Sequence, residues 1–399
     1  MRPTYLEVNL SQLKQNLENI RAHVAPAKVM PMVKANAYGH GIEGVAPFIE
    51  PYVDYFGVAL VEEAIQLRGM GIAKPILVAG GTLIEQLPLF FEHDLILTAS
   101  SLDLLTASEQ LAESTRQRLK VHLKIDTGME RVGVHEYEAE EFIKKSLACS
   151  HLEVEGIYTH LANSELAPVI ARRAFVPTRQ SPTELGIASG EEHERPRNDD
   201  GVVNASLQLE RFHEALRFYE KNSLPTPMRH VCNSGGILNM PDAHLDMVRP
   251  GVLFYGVYPA RDIEKKVEVK PALTWKSRVA YSKVTLPGRS VSYGSLWQAE
   301  AQTRIVTVPC GYADGYFRRM TNQARVIINE KSYPQVGRIC MDQFMVNVGR
   351  DDVKAGDEVT LLGGGIPAED LADWAGTNEY EVMTNISARV PRVYVGAVQ

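Results

Sequence analysis

The chain has 399 residues, 45% hydrophobic and 23% charged, a globular composition in a chain too long for one ordinary core. A net charge of -7 argues against nucleic acid or an anionic membrane surface as a partner, and no apolar stretch approaches the length of a membrane span. Cys149, Cys232, Cys310 and Cys340 lie apart with no CxxC spacing, and the first residues have no apolar secretory core, so the expectation is a reduced, cytoplasmic chain without structural zinc or disulfides.

The opening TYLEVNL (residues 4–10) reads as a strand that pairs with a C-terminal domain rather than with its neighbours. Eight short apolar runs follow, each succeeded by a helical pattern: KVMPMVK (28–34), YFGVAL (55–60), PILVAG (75–80), LILTAS (95–100), KVHLKID (120–126), EVEGIYTH (153–160), RHVCNS (229–234) and DMVRPG (246–251). Runs of this length between turns suit buried parallel strands. Ser101 opens SLDLLTASEQLAESTRQ as its expected N-cap. Eight such units predict an α/β protein built on a (β/α)8 TIM-type barrel over residues 9–257. The rival, an open doubly wound sheet, normally has fewer strands, and no GxGxxG follows an early strand. Residues 164 to about 204, rich in Pro, Gly and charge, interrupt the pattern as an insertion behind the sixth strand, either functional or disordered. From residue 258 the texture becomes β, with strand-like LTWKSRVAYSKVTL, TRIVTVPCGYADGY, ARVIINEKSYPQVGRI, QFMVNVG and DEVTLLG. Residues 258–399, together with the strand in 1–8, are therefore read as an all-β domain.

In such barrels the chemistry sits at the C-terminal ends of the strands. Lys34 ends the first run; Lys124, Asp126 and Arg131 belong to the fifth; His160 ends the sixth. Asn233 and Ser234 with two glycines end the seventh, and Arg249 and Gly251 the eighth. Two Lys and two Arg make a cationic mouth on an acidic protein, which suits an anionic ligand. NSGG (233–236) and RPG (249–251) offer a hydroxyl and backbone N–H groups suited to a phosphate, although either alone is an ordinary turn. A lysine closing an apolar strand loses basicity and can join a carbonyl as a Schiff base, so a phosphorylated carbonyl cofactor is expected.

VKANAYGHG around Lys34, followed in order by LKIDTGMERVG, YTHLANSE, CNSGG, DMVRPGVLFYG, VSYGS, VPCGYADGY and GRICMDQFMV, resembles the alanine racemase family over nearly the whole chain. The resemblance implies a barrel plus β domain, pyridoxal 5'-phosphate as cofactor, and interconversion of L-alanine and D-alanine for peptidoglycan. It also implies a homodimer whose β domain completes the partner's site. By position, Lys34 resembles the Schiff-base lysine and the base on one face of the substrate, and Tyr293 the opposing base, supplied by the second subunit. Removing a proton from one face and returning one to the other is what two fixed bases accomplish. Arg249 resembles the residue facing the cofactor's ring nitrogen, with His160 bonded to it. Tyr38, Asn233, Ser234 and the backbone at Gly251 and Val252 resemble the cofactor cradle. Arg131, Met341, Tyr312 and Asp342 resemble substrate-side residues, and Lys124 a lysine carbamylated in some members.

One departure is Ser387-Ala388-Arg389-Val390-Pro391-Arg392, where many members read S-Y-R-V-P-R with the tyrosine on the phosphate. Ala388 cannot donate, so phosphate binding is expected to weaken unless another group compensates. The alternatives are a racemase of broader scope, for serine or basic amino acids, a barrel decarboxylase for basic amino acids, and a non-catalytic pyridoxal-phosphate-binding barrel. GYADGY and ICMDQFM argue against the decarboxylase, and the complete β domain with Tyr293 and Met341 argues against a mere carrier.

Overall fold

The computed structural model of the protein describes residues 2–165 and 204–396, so nearly all of the expected 164–204 insertion lies outside the described residues. All eight apolar runs are parallel barrel strands: Lys28–Val29, Phe56–Val58, Ile76–Val78, Ile96–Ala99, Leu119–Asp126, Leu152–Tyr158, Met228–His230 and Met247–Val248. Sequence neighbours pair in turn, and the first strand pairs with the eighth at Lys28↔Met247. A single bridge, Met32↔Gly57, closes the barrel between the first strand and the second. The first and eighth strands are shorter than their apolar runs because Pro31 and Pro250 lack the N–H that a ladder needs. Parallel strands covered on both faces bury nearly every residue, as Ile76–Val78 and Ile96–Ala99 do. Ser101, expected as an N-cap, accepts from the Leu104 N–H at 3.1 Å and starts the helix Leu102–Thr115.

The C-terminal domain carries a sheet of nine strands in the order Tyr281–Thr285, Thr303–Val308, Phe344–Gly349, Lys331–Val336, Arg325–Ile328, Glu358–Leu362, Leu273–Arg278, Tyr5–Asn9 and Arg392–Val395. The opening strand thus lies between Leu273–Arg278, antiparallel, and Arg392–Val395, parallel. It runs straight into the barrel helix Leu10–Val24, capped by the Asn9 side chain. The domain is mostly strand rather than all strand. Ala368–Ala375 and Glu379–Thr384 are helices, the second capped by the Asn378 side chain. One apolar core runs through both domains, from Leu13 and Phe56 in the barrel to Trp275 and Phe344 in the sheet. Among the described residues no helix is long and apolar enough to cross a membrane.

Candidate active site

Lys34 does not end a strand. It opens a short turn in which Ala35, Asn36, Ala37 and Tyr38 take φ of 52°, 55°, 53° and 50°, a left-handed conformation on four consecutive non-glycine residues. Each costs about 1–2 kcal/mol, least for asparagine, so the surroundings must over-determine the turn. The Glu63 carboxylate accepts from the N–H groups of Ala35 at 2.6 Å, Ala59 at 2.9 Å and Leu60 at 3.1 Å. Asn36 Oδ1 accepts from the Ile42 N–H at 2.8 Å. From the other domain, Arg392 Nε donates to the Gly39 carbonyl at 3.1 Å and Tyr394 Oη to the Gly41 carbonyl at 3.2 Å. Gly41 combines a φ of 93° with a position where a Cβ would stand 2.1 Å from Tyr394 Oη, so no other residue fits. This is the physical content of ANAYGHG: small residues, an asparagine and glycines that let the chain turn the wrong way and present one lysine.

A cavity of about 430 Å³ lies over the mouth, lined by Lys34, Tyr38, Lys124, Arg131, His160, Asn233, Ser234, Arg249, Gly251 and Val252 among others. Burial, then the Arg131 charge, holds the Lys34 amine below its usual pKa, with Glu63 opposing. Lys124 is almost wholly buried and is pushed down to about 7, by burial first and then by Arg249. Burial and Arg249 hold His160 well below its usual value, so it is neutral at neutral pH. Asp126 accepts from the N–H groups of Gly128, Met129 and Arg131 at 2.9, 2.8 and 3.1 Å, which fixes the loop that carries Arg131.

Arg249 is buried at the centre of the mouth and burial lowers its pKa to about 10, still protonated at neutral pH. It meets His160 Nδ1 at 3.4 Å, but its shorter imidazole bond is to His230 Nδ1 at 2.8 Å. It also donates to the carbonyls of Thr159 at 2.7 Å and Val231 at 2.9 Å and lies over the Tyr158 ring at 5.1 Å. His230 carried no signal in the sequence beyond a histidine inside an apolar run.

Opposite Lys34 the cradle is built tightly. Ser234 Oγ accepts from the N–H groups of both Gly251 at 3.0 Å and Leu253 at 3.2 Å, leaving its own proton as the donor for a ligand. The Gly251 N–H is therefore spent on Ser234. A Cβ at Gly251 would stand 2.7 Å from Tyr38 Oη. Asn233 works through the backbone: its Oδ1 accepts from the Gly236 N–H at 3.0 Å and from Ser164 Oγ at 2.6 Å. Tyr380, from the helix Glu379–Thr384 of the C-terminal domain, also lines the cavity. Ala388 is exposed and does not line it. The tyrosine expected at 388 is thus not the one this cavity uses, and the missing hydroxyl there takes nothing from it.

Tyr293, Tyr312, Met341 and Asp342 are not brought to Lys34. They gather in a second cavity of about 360 Å³ on the C-terminal domain, with Arg338 and Cys340. Tyr293 is 70% exposed, a large amphipathic side chain left uncovered by the described residues. Its backbone is set by Ser292, at a φ of 68°, whose hydroxyl donates to the Arg338 carbonyl at 2.6 Å. Asp342 accepts from Arg389 at 2.6 Å.

Residues 8–259 match the family described as alanine racemase, N-terminal domain, and residues 272–394 the alanine racemase, C-terminal domain. The chain is 39% identical to the alanine racemase of Carboxydothermus hydrogenoformans over 402 residues, covering 99% of this chain and 100% of that one. It is 40% identical to that of Chlorobaculum tepidum over 395 residues, covering 97% and 94%. Among solved structures, the alanine racemase from D-cycloserine-producing Streptomyces lavendulae superposes with a TM-score of 0.87 at 30% identity, covering 100% of this chain and 98% of that one. The alanine racemase of Clostridium difficile 630 superposes at 0.85 with 34% identity, covering 99% and 96%.

Proposed function

The chain belongs to the alanine racemase family, and we propose that it interconverts L-alanine and D-alanine in the cavity at the barrel mouth, with Lys34 and a tyrosine from a second copy as the two bases. The family is pyridoxal-phosphate-dependent. The donor set fits that group: one half-buried amine of lowered basicity stands across a single cavity from hydroxyl and amide donors suited to a phosphate. That opposition is the observation that carries the reading.

Lys34 would hold the cofactor's aldehyde carbon. The Ser234 hydroxyl, the Val252 N–H and the Tyr38 and Tyr380 hydroxyls would hold the phosphate, and Arg249 would face the ring nitrogen. Bound there, pyridoxal phosphate supplies the conjugated electron sink that makes the α-proton of alanine removable. Displaced from that carbon by the substrate's amino group, the freed Lys34 amine would take or return that proton on one face, its basicity lowered by burial and Arg131. Arg131 draws in the substrate carboxylate. Arg249 keeps its proton at neutral pH, so it offers the ring nitrogen a hydrogen bond rather than a full charge. That restrains electron withdrawal and favours prompt return of the proton over side reactions.

Tyr293 of a second copy serves the opposite face, with Met341, Tyr312 and Asp342 beside it at the entrance. The exposure of Tyr293 and its separation from Lys34 within one chain support a homodimer with shared sites. In this division, residues 9–257 are the cofactor barrel, and 258–399 with the first strand are the domain lent to the partner. Four unpaired cysteines support a cytoplasmic enzyme supplying D-alanine for peptidoglycan. The test is chiral chromatography of alanine after incubation with enzyme and cofactor. D-Alanine forms from L-alanine, Lys34→Ala abolishes it, and serine and lysine react far more slowly. Equal rates on serine would instead favour the racemase of broader scope.

A further inference from the structure

A line of polar side chains runs from Arg249 down the barrel interior to the end opposite the mouth. Arginine has donors only, so His230 Nδ1, 2.8 Å from Arg249, accepts and the His230 proton sits on Nε2. That nitrogen is 2.9 Å from His122 Nδ1, which must accept in turn, leaving the His122 proton on its own Nε2. His122 Nε2 faces Glu155 Oε2 at 3.6 Å, an ion-pair distance, and among the described residues neither atom has a hydrogen-bond partner. The other Glu155 oxygen accepts from Tyr55 Oη at 3.2 Å, near the bottom layer of Met30, Leu77, Ile96 and Met247. Each tautomer in the line therefore follows from the guanidinium at its top.

The backbone is shaped to seat this line. The pairing of Leu119–Asp126 with Leu152–Tyr158 shifts register between Val121 and His122, which face Val154 and Gly156, so Glu155 is the extra residue of a bulge beside His122. A Cβ at Gly156 would stand 2.7 Å from His122 Nδ1, so only glycine leaves the ring its place. The His230 ring stacks on Tyr158 at 4.5 Å and 9°, and Tyr158 also lies under the guanidinium. Apolar side chains would fill this space without a bulge, a glycine or a carboxylate at the far end.

We propose that His230, His122 and Glu155 are positioning residues that lock the Arg249 guanidinium in one orientation, with the Glu155 carboxylate facing the last N–H of the line at the far end of the barrel. This rests on the reading of Arg249 as the group facing the cofactor's ring nitrogen. Without His122 as acceptor, the His230 N–H is stranded in the interior. The ring then gains by turning or by moving its proton to Nδ1, which sets donor against donor at Arg249.

The experiment uses the full-length protein loaded with pyridoxal phosphate and carrying 15N-histidine. Nitrogen NMR reads the tautomers, and steady-state kinetics with L-alanine runs in parallel. In the wild type both His122 and His230 carry the proton on Nε2. His122→Leu removes the His230 signal from that pattern and lowers kcat about tenfold, the worth of one buried hydrogen bond, while KM stays within about twofold. His122→Gln, whose amide accepts from His230 and donates towards Glu155, restores both. Wild-type kcat in His122→Leu with the His230 signal unmoved overturns the proposal. If His122→Leu does not fold, Glu155→Gln is read instead: a displaced His122 signal with a lowered kcat supports the line, and neither change overturns it. Borohydride trapping at Lys34 is measured separately. Wild-type tautomers other than Nε2–H overturn the line whatever the trapping gives, and failed trapping overturns the cofactor reading whatever the tautomers are.

Discussion

Tyr380 of the C-terminal domain stands 6.2 Å, ring centre to ring centre, from Tyr38 of the barrel, so hydroxyls from two domains of one chain line the same cavity. Burial raises the pKa of both, Tyr38 to about 12, so both stay protonated as hydrogen-bond donors. Tyr380→Phe should weaken pyridoxal phosphate binding to the apoenzyme about tenfold, the loss of one hydrogen bond to a charged group. Ala388→Tyr, at an exposed site, should leave it unchanged. Fluorescence titration of the apoenzyme measures both, and the reverse ranking would return the phosphate contact to position 388.

Lys124 predicts a pH dependence of stability. Its folded pKa of about 7 lies below the ordinary 10.5, because burial and Arg249 disfavour the charge. Between those values the unfolded chain holds a proton that the folded chain has shed. The contribution of this group to stability therefore rises with pH from about 7 to 10.5, and below 7 its full penalty is felt. The apoenzyme should gain thermal stability from pH 7 to 9 relative to Lys124→Met. Parallel melting curves would contradict this. A neutral amine beside Arg131 and Arg249 is also suited to take up carbon dioxide, giving a carbamate and a proton. Intact mass in bicarbonate should then show the mass of one carbon dioxide, absent from Lys124→Met.

Arg392 donates to the carbonyls of Gly39, Ile386, Ser387 and Val390. Arg392→Ala should lower unfolding stability by roughly 3 kcal/mol, the cost of carbonyls left part-buried without donors. It should cut cofactor affinity as well, because the left-handed turn behind Lys34 loses its clamp. Denaturant melts and apoenzyme titration test the two effects. A destabilised variant with unchanged affinity would show that the clamp serves folding alone.

The barrel was legible because eight buried parallel strands need eight apolar runs, and side chains at strand ends collect at one mouth. Local backbone choices were less so. KVMPMVK reads as a strand to Lys34, yet the continuous ladder stops at Val29 with one bridge beyond it at Met32, and the left-handed turn depends on Glu63 and Arg392, the latter over 350 residues away in sequence. Tyr380 is not legible in the sequence, because the S-x-R-V-P-R pattern points to position 388 and the helix Glu379–Thr384 is too short, at six residues, to show a strong period. His230 and Glu63 gave no pattern, since their roles arise only from tertiary contacts. Tyr293 and Met341 rested on family resemblance, because no property of one chain joins them to Lys34.

The proposal that two copies share each site predicts complementation. Lys34→Ala and Tyr293→Phe should each be nearly inactive. Mixed under exchange conditions they should recover up to about a quarter of wild-type activity, because half the dimers are hybrids with one intact site. No recovery, despite exchange shown by mass, would put both bases in one chain.

Lys34, rather than Lys124 in the same cavity, is the lysine proposed to hold the cofactor. Borohydride reduction of the loaded protein, digestion and peptide mass spectrometry test it directly. A peptide containing Lys34 that carries reduced pyridoxal phosphate is the predicted result. Label on Lys124, or on no lysine at all, would contradict it.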